Sequence, residues 1–320
     1  MAIIERTSCG RWMGDDGGGQ RRRGGEAMRG LDVGVRELCR LVQAATSANP
    51  LTPERARLNR ELGGEGPGNA FGRAEARVRG AVEALRAAGL ADVRRYQGED
   101  RGLARVLFLF DIFHSHRVAI DEHIEVQAAA GDVPQAVPFA ASCMEQLRGC
   151  GFGSDESAVA LAQFFQLRRA FHFIDRGLVG RGRSMQALRA DLWTTIFTHD
   201  FLGYERHLWN RMEDFSVLLL GETGTGKGAA AAAVGRAGYI PFNPGSGRFE
   251  RSFTDILVAA NLSQYAASLI ESELFGHRKG AFTGAIADHE GVLGRCRPNG
   301  AIFLDEIGEV PPPVQVKLLH

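Results

Sequence analysis

The stretch that most restricts what this chain can fold into is residues 215–234. An apolar run, Phe215-Ser216-Val217-Leu218-Leu219-Leu220, leads into Gly221-Glu222-Thr223-Gly224-Thr225-Gly226-Lys227-Gly228 and then into Ala229-Ala230-Ala231-Ala232-Ala233-Val234. A buried strand, a glycine turn and a strong helix former in that order make a phosphate-binding P-loop. Its glycines let successive backbone N–H groups converge on phosphate oxygens, and the positive end of the new helix adds to the field. Lys227 contributes a mobile point charge. Gly228 stands where a Ser or Thr hydroxyl would otherwise reach Mg²⁺.

The bland alternative is a flexible glycine linker, and two features count against it. The chain has three lysines (Lys227, Lys279 and Lys317) among its 38 basic residues, the remainder being arginine. A lysine at the P-loop position is therefore selected against the local habit. Downstream, Ala301-Ile302-Phe303-Leu304-Asp305-Glu306 is an apolar strand ending in two carboxylates. A Walker B element is built this way, with one acid for Mg²⁺ and the next for the attacking water.

Length and charge bound the rest. The 320 residues suffice for about two domains. Acidic and basic residues balance at 38 each, so no net field draws the chain to nucleic acid or membrane. Five cysteines, Cys9, Cys39, Cys143, Cys150 and Cys296, form no C-x-x-C pair and fit a reducing cytoplasm. The apolar run 103–113 contains Arg105 and Asp111 and is too short to span a bilayer. The N-terminus lacks the layout of a signal peptide.

Residues 1–31, rich in Gly and Arg, are expected to be a disordered tail, with Met28 a second candidate start. Residues 32–175 read as helical, as a sensory or regulatory unit. Helical spacing covers 33–45, 74–88, 103–130, 139–147 and 157–174, with Asn49-Pro50 and Pro53 ending the first helix and a glycine linker at 63–68. His114, His116 and His123 are metal suspects, but His114 and His116 point to different sides of a helix. Phe164, Phe165, Phe171 and Phe173 read as core. From 176 onward strands (215–220, 256–260, 301–304) alternate with helices (227–236, 268–274). That pattern predicts a parallel sheet covered on both faces, with ligand at the carboxyl ends of the strands.

Between the two Walker elements lies Glu271-Ser272-Glu273-Leu274-Phe275-Gly276-His277-Arg278-Lys279-Gly280-Ala281-Phe282-Thr283-Gly284-Ala285. It closely resembles the signature of bacterial sigma-54-dependent transcriptional activators, which are AAA+ ATPases. The resemblance runs from Leu178-Val179-Gly180 to Leu318-Leu319, a little under half the chain. It implies an α/β P-loop NTPase fold in 176–320, ATP and Mg²⁺ as cofactors, and a ring of protomers. It also implies that Gly280, Ala281, Phe282, Thr283, Gly284 and Ala285 contact sigma-54 within RNA polymerase, with Phe282 as an apolar tip on a pliable loop. Asp305 would organise Mg²⁺, Glu306 would orient or deprotonate water, and Asn261 would hold Glu306 until nucleotide and partner release it. Val179 and Gly180 match the segment near the adenine.

This chain departs from the family at several points. Gly228 replaces the usual Glu, Cys296-Arg297-Pro298-Asn299-Gly300-Ala301 precedes Walker B, and insertions occupy about 243–257 and 198–213. The sequence stops at His320, before the family's sensor I, arginine fingers, lid and any helix-turn-helix. Without those segments the resemblance implies weak ATP binding and little hydrolysis. Three readings follow: an ATP-driven activator of sigma-54 polymerase; a truncated, non-catalytic protein that binds sigma-54 or full-length protomers; and a generic P-loop kinase or small-molecule ATPase, for which no substrate pocket is readable.

Overall fold

The computed structural model describes residues 2–6, 30–209, 211 and 215–318. The tail predicted to be disordered lies outside these residues at 7–29, as does Leu319. Ala2–Arg6, inside the same predicted tail, forms a strand, β1.

Seven helices and a hairpin carry the first core. Asp32 caps α1 (Val33–Ser47) by accepting from the Gly34 N–H, and Asn69 does the same for α3 (Ala70–Ala87) through Gly72. Between them lies α2 (Pro53–Gly63). Pro53, read from sequence as a stop, instead occupies the first turn of this helix, where its missing N–H costs nothing. The spine is α4 (Gly98–Ala130), 33 residues long and so about 50 Å at 1.5 Å per residue. It packs on α1, α3, α5 (Ala140–Gly149) and α6 (Ser154–Phe171). A π-helical turn, His172–Arg176, then leads to α7 (Arg183–Phe197) and α8 (Phe201–His207). No described helix is long and apolar enough to cross a membrane.

The α/β part follows as β2 (Val217–Leu219), α9 (Lys227–Arg236), β3 (Phe242–Asn243), β4 (Arg248–Phe249) and β5 (Leu257–Asn261). Then come α10 (Ile270–Phe275), α11 (Val292–Arg295), β6 (Ala301–Asp305) and α12 (Pro312–Lys317). The sheet runs β2-β1-β6-β5. The expectation of a parallel sheet holds for β5 and β6 and needs correcting elsewhere, because β1 enters antiparallel between β2 and β6. Ala2 and Ile4 are fully buried there.

The insertion at 243–257 also finds its place. β3 and β4 pair as a short hairpin, and Phe249 stacks on Phe165 of α6 with centroids 4.0 Å apart. Ser252 accepts from Gln127 at 3.0 Å, and Phe242, Phe249, Phe253 and Ile256 join the helical core. The helical unit and the α/β part therefore share buried surface rather than meeting through a linker.

Candidate functional site

The glycine loop bends as its composition requires. Gly224 and Gly226 adopt φ of 84° and 92°, values that an L side chain resists. Thr225 Oγ1 donates to the Glu222 carbonyl at 2.8 Å, and a Cβ on Gly221 would sit 2.9 Å from that same oxygen. Residues 221–226 are exposed to solvent. Lys227 Nζ folds onto the loop, donating to the Gly221 and Glu222 carbonyls at 3.0 Å each. It has no carboxylate partner among the described residues. Behind the loop α9 lies close against the sheet. A Cβ on Gly235 would come within 2.6 Å of Leu257 Cδ1 and 3.4 Å of the Ala301 Cβ, so this glycine sets the helix–sheet distance.

Strand register brings the two Walker-type elements level. Ile3 pairs with Leu218 on one side and Leu304 on the other, and Ile4 with Val217 and Phe303. The loop after β2 and the carboxylates after β6 thus leave the same edge of the sheet, two strand spacings or roughly 10 Å apart. Asp305 Oδ1 accepts from the Glu306 N–H at 2.9 Å. Glu306 has φ of 53°, an uncommon left-handed conformation for a non-glycine residue. Asn261, at the end of β5, is in register with Asp305. Its side-chain Oδ1 accepts from the Ser263 N–H and hydroxyl at 3.0 and 2.8 Å, which starts a 3-10 turn.

Gly228 is glycine without steric cause: a Cβ there would meet only a Phe303 ring carbon, at 3.9 Å. Val179 is 92% exposed. Its neighbour Gly180, with φ of 105°, is held by the Arg189 guanidinium, which donates to the Leu178 and Gly180 carbonyls at 2.5 and 2.8 Å. That clamp is unreadable from spacing alone, since it links a loop to a helix that follows it.

The 280–285 segment is a closed turn. Gly280 N–H donates to Ala285 O at 2.8 Å and Ala285 N–H to Phe282 O at 3.0 Å. Below it His277 and His289 exchange backbone bonds at 3.0 and 2.9 Å. Asp288 accepts from the Lys279 N–H at 2.7 Å and pairs with Arg278 at 3.2 Å. The base is tied by backbone contact, because a Cβ on Gly276 would lie 2.5 Å from His289 O, and one on Gly291 2.3 Å from Gly276 N. Phe282 remains 46% exposed, with its ring 4.8 Å from that of His277. It is a half-exposed aromatic on a braced turn, and less isolated than its sequence suggests.

The three histidines of α4 do not converge. His116 Nδ1 sits 3.0 Å from the Ile112 carbonyl, His123 packs among Phe139, Phe165 and Phe249, and His114 among Phe71, Phe110 and Phe113. Among the described residues no group of three metal-ligating side chains is present.

Residues 206–320 match the family described as the sigma-54 interaction domain. This segment resembles the sigma-54-dependent activators. The hydrogenase transcriptional regulatory protein HoxA of Cupriavidus necator is 47% identical over 107 residues, which is 33% of this chain and 20% of that protein. The sigma54-dependent transcriptional activator SfnR of Pseudomonas putida is 47% identical over 105 residues, 33% of this chain and 25% of its own length. The transcriptional regulatory protein GlrR of Escherichia coli K12 is 44% identical over 107 residues, 33% and 21% respectively. The chain therefore spans a fifth to a quarter of the length of these relatives.

Proposed function

We propose that residues 206–320 bind ATP with Mg²⁺ and that this module acts on sigma-54 within RNA polymerase through the 280–285 turn, as part of a homo-oligomeric ring. The observation that carries the reading is the common sheet edge shared by the glycine loop, Asp305 and Glu306. The loop fits a polyphosphate: its two left-handed glycines open the backbone, and among the described residues Lys227 is engaged only by carbonyls. Asp305 would hold Mg²⁺, which when bound neutralises phosphate charge. Its Oδ1 already accepts from the Glu306 N–H, so the pair is oriented before any ligand arrives. Glu306 would orient water, and Asn261 would report on Glu306 from the adjoining strand end. Val179 and Gly180 would flank the base.

Gly228 favours a second reading, a module that binds nucleotide and partner with little hydrolysis, because the Glu usual in the family beside the P-loop is absent although space exists for a side chain. The two readings share a binding test. A fluorescent ATP analogue with Mg²⁺ should bind the chain saturably, and Lys227→Ala should abolish the signal. Thr283→Ala should leave nucleotide binding unchanged while ending retention on immobilised sigma-54. Retention unaffected by Thr283→Ala would remove the turn from the partner contact. Measured phosphate release separates hydrolysing from non-hydrolysing behaviour.

A further inference from the structure

A cavity of about 580 Å³ opens in the helical half, lined by α1, α2, α3, α4, α6, α7 and α8. That volume suits a small organic ligand. Much of its wall is aromatic, with Phe110, Phe113, Phe164 and Trp193 contributing rings from three helices. Three of its lining residues carry unsatisfied polar groups. Thr46 Oγ1, His114 Nδ1 and Gln163 Nε2 are buried without a hydrogen-bond partner among the described residues, and all three residues line this cavity. An unmade buried hydrogen bond costs about 1–3 kcal/mol, and folded proteins leave few of them. Glu75 Oε1 lies 3.3 Å from His114 Nδ1, out of line for a hydrogen bond. Burial and the nearby Arg55, Arg117 and Arg168 hold the His114 imidazole well below its usual range, so it is neutral.

The charges point the same way. Four arginines (Arg55, Arg117, Arg168 and Arg176) face two carboxylates, Asp121 and Glu205. Both acids are already gripped: Arg168 donates twice to Asp121, at 2.7 and 2.6 Å, and Arg105 twice to Glu205, at 3.0 and 2.6 Å. Arg117 lies 3.5 Å from Glu75. Among the described residues Arg55 donates only to neutral oxygens, with Nε on Asn59 Oδ1 at 3.0 Å and Nη1 on the Ala45 carbonyl at 2.5 Å. Burial pushes its pKa down to about 10. The Ala45 carbonyl that Arg55 holds lies one residue before Thr46 in the chain. A sequestered cation facing neutral acceptors gains most from an anion brought to it.

We propose that this cavity binds a small organic acid, its apolar ring or chain against the phenylalanines and its carboxylate on Arg55, with Thr46, His114 and Gln163 completing the hydrogen bonds. Rings of this kind receive a flat guest edge-on or offset. Nothing in the proposal depends on the nucleotide site.

The test is isothermal titration calorimetry on the full 320-residue chain with benzoate, phenylacetate, 2-naphthoate and octanoate, each against its primary amide. At least one acid should bind saturably at one per chain and at least tenfold tighter than its amide. Arg55→Met should erase that preference while leaving amide affinity within twofold, which shows that the cavity still exists. Gln163→Leu, an apolar replacement on α6, should weaken the acid at least threefold with circular dichroism unchanged. Lys227→Ala should bind the acid as the parent does, so failure at the nucleotide site is told apart. The proposal is overturned if none of the four acids binds, if acid and amide bind equally, or if the preference survives Arg55→Met.

Discussion

Arg169→Met asks whether a buried cation holds the helical unit to the P-loop helix or merely burdens the core. Arg169 is fully buried. Nη1 donates to the Arg236 carbonyl and Nη2 to the Gly238 carbonyl, each at 2.7 Å, at the C-terminal end of α9. The guanidinium lies 4.5 Å from the Phe165 centroid and 5.9 Å from that of Phe253. No carboxylate pairs with it among the described residues. Methionine replaces the aliphatic stem but stops short of the guanidinium and cannot donate. The two carbonyls left unpaired cost about 1–3 kcal/mol each, and the desolvated cation–ring contact is worth about 2 kcal/mol. Against this, removing a buried charge returns several kcal/mol of desolvation. The helix end tilts the balance, because its negative pole stabilises a cation by up to about 2 kcal/mol.

A net loss of about 2–3 kcal/mol is therefore expected from these terms. Urea unfolding followed by tryptophan fluorescence reads it, since Trp193 belongs to the core that contains Ala170. Arg169→Lys should recover less than half of the loss, because an ammonium lacks the planar two-pronged reach. If Arg169→Met unfolds at the parental urea concentration or above it, desolvation exceeds the bonds and this account of the junction is wrong.

Three further outcomes are expected. Gly228→Thr, with a Cβ 3.9 Å from the nearest neighbour, should raise Mg²⁺-dependent affinity for a fluorescent ATP analogue several-fold without changing affinity in EDTA. Ile4→Ala, in the strand between β2 and β6, should cost about 2–5 kcal/mol and weaken nucleotide binding, while circular dichroism keeps most of the helical signal. Burial pushes the His123 pKa down from 6.5 to about 4, so between those values the unfolded chain binds more protons and stability falls as pH falls. The loss approaches about 3 kcal/mol by pH 4. His123→Phe should flatten that part of a urea-midpoint profile between pH 7 and 4, and an unchanged slope would exclude His123 as its source.

Local signals were legible where one segment decides its own structure. The run from apolar strand through glycines to alanines predicts α9 over 227–236, and the helix occupies Lys227–Arg236. The period of 3.6 marks α1 and α4 because each buries one or more continuous faces. Where a residue type has two uses, spacing alone misleads. Pro53 reads as a stop after α1 and serves as the first residue of α2. Ala-Ile-Ile-Glu-Arg reads as part of a polar tail because the partners that make it a strand stand more than 200 positions away. Phe282 reads as a lone tip because its neighbour His277 is set by the His277–His289 bridge. The cavity is the extreme case, since its wall comes from seven helices and its diagnostic atoms are recognised only by lacking partners.

One helix makes the two halves mechanically inseparable. On one face α6 gives Gln163, Phe164 and Leu167 to the cavity wall. On another, Gln166 donates to the Ala237 carbonyl at 3.1 Å, and its amide exchanges bonds with the Tyr204 hydroxyl of α8 at 2.8 and 3.0 Å. Arg169 adds the carbonyls of Arg236 and Gly238. The end of α9 is thus held by three buried side-chain bonds from α6, in a region where water is not available to replace them. Sliding α9 past α6 would break these bonds together, at about 1–3 kcal/mol each. Rotation of α6 with α9 as one body breaks none of them. Any movement of the P-loop helix must therefore carry α6 along, and with it one wall of the cavity.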